Sequence, residues 1–324
     1  MPFEKSVFVP LDADETFALI TRPDRLRRWQ AITARVDLRA GGEYRWTIIP
    51  GHVARGTITE VEPGRRVVFT WGWEGSTDLP PGASTVIITL EPAPGGTTVR
   101  LVHEGLSEEQ AASHAMGWEH YFGRLGKAVA DGDAGPDEWA AAPGPIDAIT
   151  SSALTLAACQ RVLYRIGEAD YGRATPCAEF TVAELAGHLI GSISGVGRRA
   201  GAAFPPSADG SLESRVADAA QIALEAWDIR GLDGTVTIRG GEMPAAFALA
   251  ILSLEFLVHA WDFARATGQR ATVPEAAAAY VLDMANKIIT PESRAGLFGD
   301  ELAADIGAGA LERLIAFTGR DTGS

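Results

Sequence analysis

An acid, a histidine and a second acid lie close together in an apolar stretch of this sequence. The stretch LEFLVHAWDFARATG, residues 254–268, carries Glu255, His259 and Asp262 among mostly apolar residues. In an α-helix, residues three or four positions apart lie on the same face. A helix that is apolar on nearly all sides is buried, and a buried ionised carboxylate requires a partner or a metal. The spacing therefore predicts a helix whose polar face points into a protected interior.

A second apolar stretch supplies another histidine. The segment TVAELAGHLIG predicts a helix that begins at Thr181, where Thr181 and Glu184 form a capping-box pattern, and it places His188 among leucine, isoleucine and alanine. Two histidines and one carboxylate, here His188, Glu255 and His259, form a standard ligand set. This set suits zinc with one open position or iron with several. The alternative is that these groups are ordinary core residues that hydrogen-bond one another or the backbone.

Two neighbouring residues have more than one interpretation. Asp262 either pairs with Arg265 on the surface or orients a metal-binding histidine as its hydrogen-bond partner. Cys177 precedes the helix that carries His188, and a thiol near a helix N-terminus can have a lowered pKa. Such a thiol would suit a nucleophile or an extra ligand, although a small buried hydrophobic residue is the interpretation that we favour. The sequence assigns no catalytic residue.

The pattern of residue types along the chain changes near its middle. Residues 1–131 contain short β-branched or aromatic runs separated by glycine, proline and aspartate, with a helical segment before these runs and another, opened by Ser107, after them. Residues 132–147 are rich in glycine, proline, aspartate and alanine without periodicity, which predicts a linker. Residues 148–324 have helical periodicity. The sequence therefore predicts an α+β domain followed by an all-α domain.

The first of these domains resembles a known superfamily. The segments VPLDADETFALITRPDRLRRW, GGEYRW, GTITEVEPGRRVVFTW and GWEHYFGRLGKAV are similar to those of Bet v 1-like (SRPBCC) proteins, in the branch named for the activator of the Hsp90 ATPase (AHSA1-like). The resemblance implies a helix-grip fold, in which a curved antiparallel sheet holds a long C-terminal helix with a cavity between them. Because this fold serves many activities, it predicts structure rather than function. The candidates to line the cavity are Trp46, Phe69, Trp71, Met116 and Tyr121, and the alternative, which we favour for each residue taken singly, is an ordinary core residue.

The second domain resembles a different family. The segments ATPCAEFTVAELAGHLIG and LEFLVHAWDFARATGQ are similar to the DinB-like metal-binding proteins of actinobacteria, most of all to mycothiol-dependent maleylpyruvate isomerases. The resemblance implies a four-helix bundle over residues 148–324, with a divalent metal held by His188, Glu255 and His259. It also implies a thiol cofactor, mycothiol or bacillithiol, and from the ligand set we expect the metal to be zinc, with iron or nickel as alternatives. We find no counterpart of the separate C-terminal domain of the isomerase, so maleylpyruvate itself is not implied.

Composition and charge limit the classes of partner. The 324 residues carry a net charge of −14 with a pI near 4.9, which argues against nucleic acid or an anionic membrane as the main partner. Two cysteines make no disulfide framework, and we find neither a signal-peptide pattern nor an uninterrupted apolar run long enough for a membrane span. We therefore expect a cytoplasmic protein whose partner is a small-molecule substrate or ligand, and we leave self-association into a homo-oligomer open.

The sequence favours an enzyme over two alternatives. We expect a divalent-metal-binding protein that acts as a thiol-dependent, mycothiol-type isomerase or transferase on a small apolar molecule. The first alternative is a non-catalytic protein that binds a hydrophobic small molecule and holds a structural metal. The second is a module that interacts with a chaperone, which only the name of the first resemblance suggests.

Overall fold

The chain forms two compact units, Met1–Asp137 and Glu138–Ser324. The computed structural model describes residues 2–140, 144–177, 179–206, 209–238, 240–294 and 296–323. The division between the units falls inside the predicted linker, residues 132–147, of which residues 141–143 lie outside the described part of the chain.

The first part of the predicted linker is folded into the first unit. Asp133 and Arg28 are both buried and form an ion pair of 3.6 Å. Asp137 lies 2.8 Å from Nε2 of His120. These contacts join polar groups, and a pattern of apolar residues in the sequence cannot reveal such contacts. The first unit therefore extends beyond the expected end at residue 131, and residues 132–137 belong to it.

The first unit contains a seven-stranded sheet in which every neighbouring pair of strands is antiparallel. Gly51 and Gly95 turn the chain between strands at φ values of 79° and 80°, a region that disfavours residues with a Cβ. The sheet order is β1-β7-β6-β5-β4-β3-β2. In chain order the elements are β1 (Phe3–Val9), α1 (Ala13–Thr21), α2 (Pro23–Leu26), β2 (Thr33–Val36), β3 (Glu43–Ile49), β4 (His52–Glu62), β5 (Arg66–Trp71), β6 (Ser84–Ala93), β7 (Gly96–Glu104) and α3 (Glu108–Asp131).

The long helix α3 closes the core of the first unit. Its N-cap is Ser107, as the sequence predicts, and Ser107 also forms a capping box with Gln110. Trp118, Phe122 and Leu125 share one face of α3 and are buried. The indole of Trp118 contacts Trp71 and His103 of the sheet. An antiparallel sheet with helices and this closing α3 fits the expected α+β helix-grip fold.

The second unit is mainly helical. Its long helices are α4 (Ala148–Tyr164), α5 (Val182–Arg199), α6 (Leu212–Arg230) and α7 (Ala245–Thr267). α4 packs against α6 and α7, and α5 packs against the same two helices, so each contacts two of the others around a shared apolar core. The DinB-like identity of this arrangement stays a prediction. The helices after α7 are α8 (Glu275–Ile288), α9 (Pro291–Arg294) and α10 (Ala310–Phe317).

A short β-hairpin lies between two helices of the second unit. The sequence predicted an all-α domain here, so the hairpin is a difference from that prediction. Strand β8 (Thr235–Ile238) pairs antiparallel with β9 (Gly241–Pro244), directly before α7. The carboxylate of Glu242 accepts hydrogen bonds from the hydroxyls of Thr235 and Thr237, which tie the two strands together. Each strand has four residues, too few for a periodic signal to stand out from the surrounding helices.

Helix α7 is long and apolar enough to cross a membrane by length and composition. However, 72% of its most apolar stretch is buried inside the protein, which is the pattern of a core helix. This single helix is therefore weak evidence for a membrane span, and its apolar surface is explained by packing against α4, α5 and α8.

Candidate metal centre

Two helices of the second unit carry the three predicted ligands. α5 begins at Thr181, whose hydroxyl accepts a hydrogen bond from the backbone N–H of Glu184. The Glu184 carboxylate accepts one from the backbone N–H of Thr181 at 2.9 Å, which confirms the predicted capping box. α7 ends at Gly268 with a φ of 70°, a helix end that favours glycine. His188 lies on α5, and Glu255 and His259 lie on α7.

The three side chains converge between α5 and α7. Oε2 of Glu255 lies 3.4 Å from Nε2 of His188 and 3.5 Å from Nε2 of His259. One ligand atom from each of the three residues lies within 4.8 Å of the other two. Two atoms that each lie about 2.1 Å from a tetrahedral metal are about 3.4 Å apart. The carboxylate–imidazole distances therefore fit coordination of one common ion.

The Glu255 carboxylate lacks a hydrogen-bond partner at one oxygen. Its Oε2 atom is buried and accepts no hydrogen bond within the described part of the chain. Burial alone would raise the pKa of Glu255, but the imidazoles of His188 and His259 hold this pKa well below its usual range. An ionised oxygen buried between two imidazole nitrogens is a donor set that a divalent cation would satisfy.

A second acid holds the His259 ring from its other side. Nδ1 of His259 lies 2.9 Å from Oδ2 of Asp262, and Asp262 is fully buried. Nε and Nη2 of Arg320 donate to the two oxygens of Asp262 at 2.8 and 2.9 Å. Asp262 thus pairs with Arg320 and not with Arg265, which donates to the carbonyl oxygen of Gly323 instead.

The charged groups around His259 and Asp262 account for the pKa values of these two residues. Burial alone would lower the pKa of His259, but the carboxylates of Asp262 and Glu255 raise it to about 9. Burial alone would raise the pKa of Asp262, but the hydrogen bonds from His259 and Arg320 lower it. With Nδ1 of His259 directed at Asp262, the ring presents Nε2 to Glu255.

The His188 side of the cluster is its open side. The side chain of His188 is 39% exposed, compared with 7% for His259. The ring of Phe180 stacks on His188 with centroids 5.1 Å apart. The carbonyl oxygen of Phe180 accepts a hydrogen bond from the hydroxyl of Thr175, which fixes the loop before α5. A small molecule would reach the cluster past His188 and this loop.

Neither cysteine belongs to the ligand cluster. Cys177 is half-buried in the loop before α5, and burial, with a further contribution from Asp262, raises the pKa of its thiol. Cys159 is fully buried in α4, where burial raises the pKa of its thiol strongly. Both thiols therefore match the favoured interpretation of small packed residues, and the raised pKa of Cys177 does not support an activated nucleophile.

Of the five residues expected to line a cavity in the first unit, four are buried and one is exposed. Trp46, Phe69, Trp71 and Tyr121 are buried, and the rings of the first three pack with centroids 5.5–6.4 Å apart. Met116 is 64% exposed and does not face this interior. It lies two residues from Trp118, and this spacing puts the two side chains on opposite sides of α3. Four of the five residues therefore lie in the interior of the first unit. The expectation that Met116 lines this interior is wrong.

An apolar groove lies elsewhere on the first unit. It has a volume of about 220 Å³ and is lined by residues 7–11, at and after the end of β1, and by residues of α3 between 125 and 130. Trp46, Phe69, Trp71 and Tyr121 are not among its lining residues. The groove is therefore distinct from the interior that the resemblance predicts as a cavity.

Sequence reasoning missed Arg320. This residue follows α10 and lies 58 positions after Asp262, so no local spacing connects the two. The signal that could have found it is indirect: an acid in the middle of an apolar helix needs a cation, and a basic residue in the last segment of the chain is a candidate. The structure identifies which basic residue meets this need.

Comparison with known proteins supports the resemblance of the first unit. Residues 10–130 match the family model described as "Activator of Hsp90 ATPase homolog 1-like protein". This match covers most of the first unit and confirms that its fold is of the AHSA1-like, Bet v 1 type. The DinB-like resemblance of the second unit stays a prediction.

Individual relatives share parts of the chain. An uncharacterized protein of Mycobacterium tuberculosis, Rv0738 in strain H37Rv and MT0763 in strain CDC 1551, is 32% identical over 154 residues, which cover 46% of this chain and 84% of that protein. The solved AHSA1-like protein RHE_CH02687 (1-152) from Rhizobium etli is 39% identical, covering 43% of this chain and 88% of that chain, with a TM-score of 0.37. The Aha1 dimer from Colwellia psychrerythraea is 16% identical, covering 41% of this chain and 94% of that chain, with a TM-score of 0.37.

Proposed function

We propose that this chain, which belongs to the same family as the mycobacterial protein Rv0738 and begins with an AHSA1-like domain, binds one divalent metal ion in its second unit. We further propose that it acts as a thiol-dependent isomerase or transferase on a small apolar molecule. The observation that carries the proposal is the convergence of His188, Glu255 and His259, whose ligand atoms lie within 4.8 Å of one another.

Each residue of the site would have a distinct role. His188, Glu255 and His259 would hold the metal, and Asp262 would keep the proton of His259 on Nδ1, so that Nε2 is free to bind. A bound metal would supply Lewis-acid activation of a substrate carbonyl or of a coordinated thiol. Phe180 would limit rotation of His188 by stacking on it.

The choice of metal rests on the chemistry of the ligand set, and the choice of thiol rests on the resemblance of the second unit. Zinc is our first choice because it accepts imidazole, carboxylate and thiolate ligands together, and iron and nickel are the alternatives. Mycothiol is the thiol that the resemblance implies. Cytoplasmic location, homo-oligomerisation and the absence of a nucleic-acid or membrane partner stay predictions from the sequence.

Metal analysis tests the proposal directly. We expect wild-type protein, purified without an affinity tag, to carry close to one metal ion per chain. His188→Ala, Glu255→Ala and His259→Ala should each lose most of it, because each removes one of three protein ligands. His52→Ala is the matched control, since this exposed histidine belongs to the first unit and the three predicted ligands belong to the second. Full retention of metal by His259→Ala would refute the assignment.

Measurement of catalytic turnover distinguishes an enzyme from a protein that only binds the metal. Metal-loaded protein should accelerate an isomerisation or transfer only when a low-molecular-weight thiol such as mycothiol is present. The Glu255→Ala variant should abolish this thiol-dependent rate and the His52→Ala variant should keep it. A metal-loaded protein without thiol-dependent turnover across a panel of small apolar carbonyl compounds would favour a structural metal.

A second candidate function is non-catalytic binding of a small molecule in the first unit. Three buried polar atoms favour it: Nε1 of Trp46, Nε1 of Trp71 and Nε2 of His114 have no hydrogen-bond partner in the described part of the chain. Nδ1 of His114 lies 2.8 Å from the carbonyl oxygen of Gln110, so it donates and Nε2 is left as an acceptor. Buried polar atoms usually have partners, and a ligand with polar groups would supply them.

Tryptophan fluorescence distinguishes the two functions. If the first unit alone binds the ligand, titration with small amphipathic molecules should quench the buried tryptophans equally before and after metal removal. Trp71→Phe should weaken this binding while leaving the metal content unchanged, because the indole N–H is lost and the aromatic ring is kept. Binding that disappears with the metal would point to the second unit instead.

A further inference from the structure

The end of the chain returns to the candidate metal centre. Arg320 follows α10 and donates two hydrogen bonds to Asp262, at 2.8 and 2.9 Å. Arg265 on α7 donates to the carbonyl oxygen of Gly323 at 2.7 Å. Residues 318–323, which we call the C-terminal strap, are thereby attached to α7 at two points.

The Asp262 carboxylate joins the C-terminal strap to a candidate metal ligand. Asp262 is fully buried, and its carboxylate accepts two hydrogen bonds from Arg320 and a third from Nδ1 of His259. A bidentate arginine fixes the plane of a carboxylate, which a single contact does not do. That plane fixes the His259 ring so that Nε2 points towards Glu255, 3.5 Å away.

The Arg320 side chain is committed to this contact. It is 11% exposed, and besides the two hydrogen bonds to Asp262 it makes one further hydrogen bond within the described residues, from Nη1 to the carbonyl oxygen of Thr318 at 3.4 Å. A buried ion pair is stable while both members are present, and either member alone is unfavourable in the interior. Attachment of the strap and orientation of the Asp262 carboxylate therefore depend on each other.

We propose that Arg320 is a positioning residue of the metal centre, and that attachment of the C-terminal strap and binding of the metal favour each other. The inference rests on the proposed function, because it requires the site to bind a metal. Coupling between two binding events is reciprocal. If the attached strap holds His259 ready for the metal, a bound metal must hold the strap in place by the same factor. A purely structural Arg320 would change stability without this reciprocity.

Zinc affinity, measured on the full chain with a competing chelator, tests the first half of the coupling. We expect Arg320→Ala to weaken zinc binding by about 10-fold and by at most about 100-fold, the range typical when a hydrogen-bonding residue that supports the metal ligands from outside is removed. Arg320→Lys keeps the charge but not the bidentate geometry, so its affinity should fall between. Arg173→Gln is the matched control: it removes an exposed arginine hydrogen bond to the carbonyl oxygen of Ala266 on α7, outside the strap, and it should change the affinity by less than about fivefold.

Hydrogen exchange tests the second half of the coupling, and its measurement on the wild-type protein does not depend on whether a variant folds. Saturating zinc should slow exchange of the backbone amides in residues 318–323, and this protection should be absent in Arg320→Ala. Equal zinc affinity of wild type and Arg320→Ala, or strap exchange that zinc leaves unchanged in wild type, would overturn the inference and leave the metal proposal standing. A wild-type protein that binds no zinc would overturn both.

Discussion

His103 shows how one buried side chain ties the stability of the first unit to pH. Its Nδ1 accepts a hydrogen bond from Nε1 of Trp118 at 3.2 Å, and its Nε2 lies 2.9 Å from the hydroxyl oxygen of Ser84. The neutral ring therefore satisfies both nitrogens. Burial, with a smaller contribution from His114, lowers the pKa of His103 to about 3. Protonation would displace the Trp118 hydrogen bond and leave a charge in the interior.

We expect the first unit to lose stability as the pH falls from about 6.5 towards 3. In this window the unfolded chain binds a proton at His103 that the folded chain does not. The free energy of unfolding therefore falls with decreasing pH, by at most about 1.4 kcal/mol per pH unit from this residue. Hydrogen exchange of the β6 and β7 amides in the full chain measures the effect. His103→Gln should flatten the dependence, and an unchanged pH dependence in that variant would contradict the assignment.

Single residues were predictable where their neighbours in sequence define their surroundings. Glu255 and His259 are one helical turn apart in an apolar helix, so their shared face follows from spacing alone. His188 was a candidate because it lies in a second apolar helix, but its place beside Glu255 and His259 rested on the resemblance, because nothing local connects α5 to α7. Met116 was misplaced because the face of α3 that meets the sheet could not be fixed before the sheet was known. Arg320 was missed because its partner is distant along the chain.

Helix α5 depends on its N-terminal cap to hold His188 in place. Thr181 and Glu184 satisfy each other's backbone N–H groups, and the hydroxyl of Thr181 also donates to the Glu184 carboxylate at 2.7 Å. We expect Thr181→Ala to lower the free energy of unfolding of the second unit by about 1 kcal/mol, and Thr181→Ser to restore most of it. Chemical denaturation followed by far-ultraviolet circular dichroism measures this.

The N-cap of α6 provides the comparison for α5. Ser211 caps that helix through the backbone N–H of Ser214, and the Ser211→Ala variant should show a loss of similar size. If Thr181→Ala costs no more than a surface substitution elsewhere on the second unit, the cap does not stabilise α5 as the contacts indicate.

Elements were predictable in proportion to their length. Helices α3 and α5 have N-cap residues, and α3 and α7 end at a glycine, which are signals that the sequence displays directly. The hairpin β8–β9 was not found, because two four-residue strands between α6 and α7 contain too few positions to establish a period of two. Its cross-strand contacts from Glu242 to two threonines depend on pairing that only the folded chain defines.

At the scale of the whole molecule, the segment between the units should be the site of first proteolysis. The change in the pattern of residue types placed the linker at residues 132–147, and the contacts of Asp133 and Asp137 with the first unit narrow the expected cleavage to residues 138–147. Limited proteolysis followed by mass spectrometry should yield two fragments that resist further digestion. Initial cleavage between residues 132 and 137, or none before both units are degraded, would contradict this prediction.

Zinc should stabilise one unit and leave the other unchanged. The predicted ligands all lie in the second unit, and a ligand that binds only the folded state raises the free energy of unfolding by about 2.7 kcal/mol at a free concentration of 100 times its dissociation constant. Because each unit has its own buried core, we expect two unfolding transitions. Calorimetry with and without zinc should shift only the transition of the second unit, and Glu255→Ala should abolish the shift. A zinc-dependent shift of both transitions would show that the units unfold together and would contradict their independence.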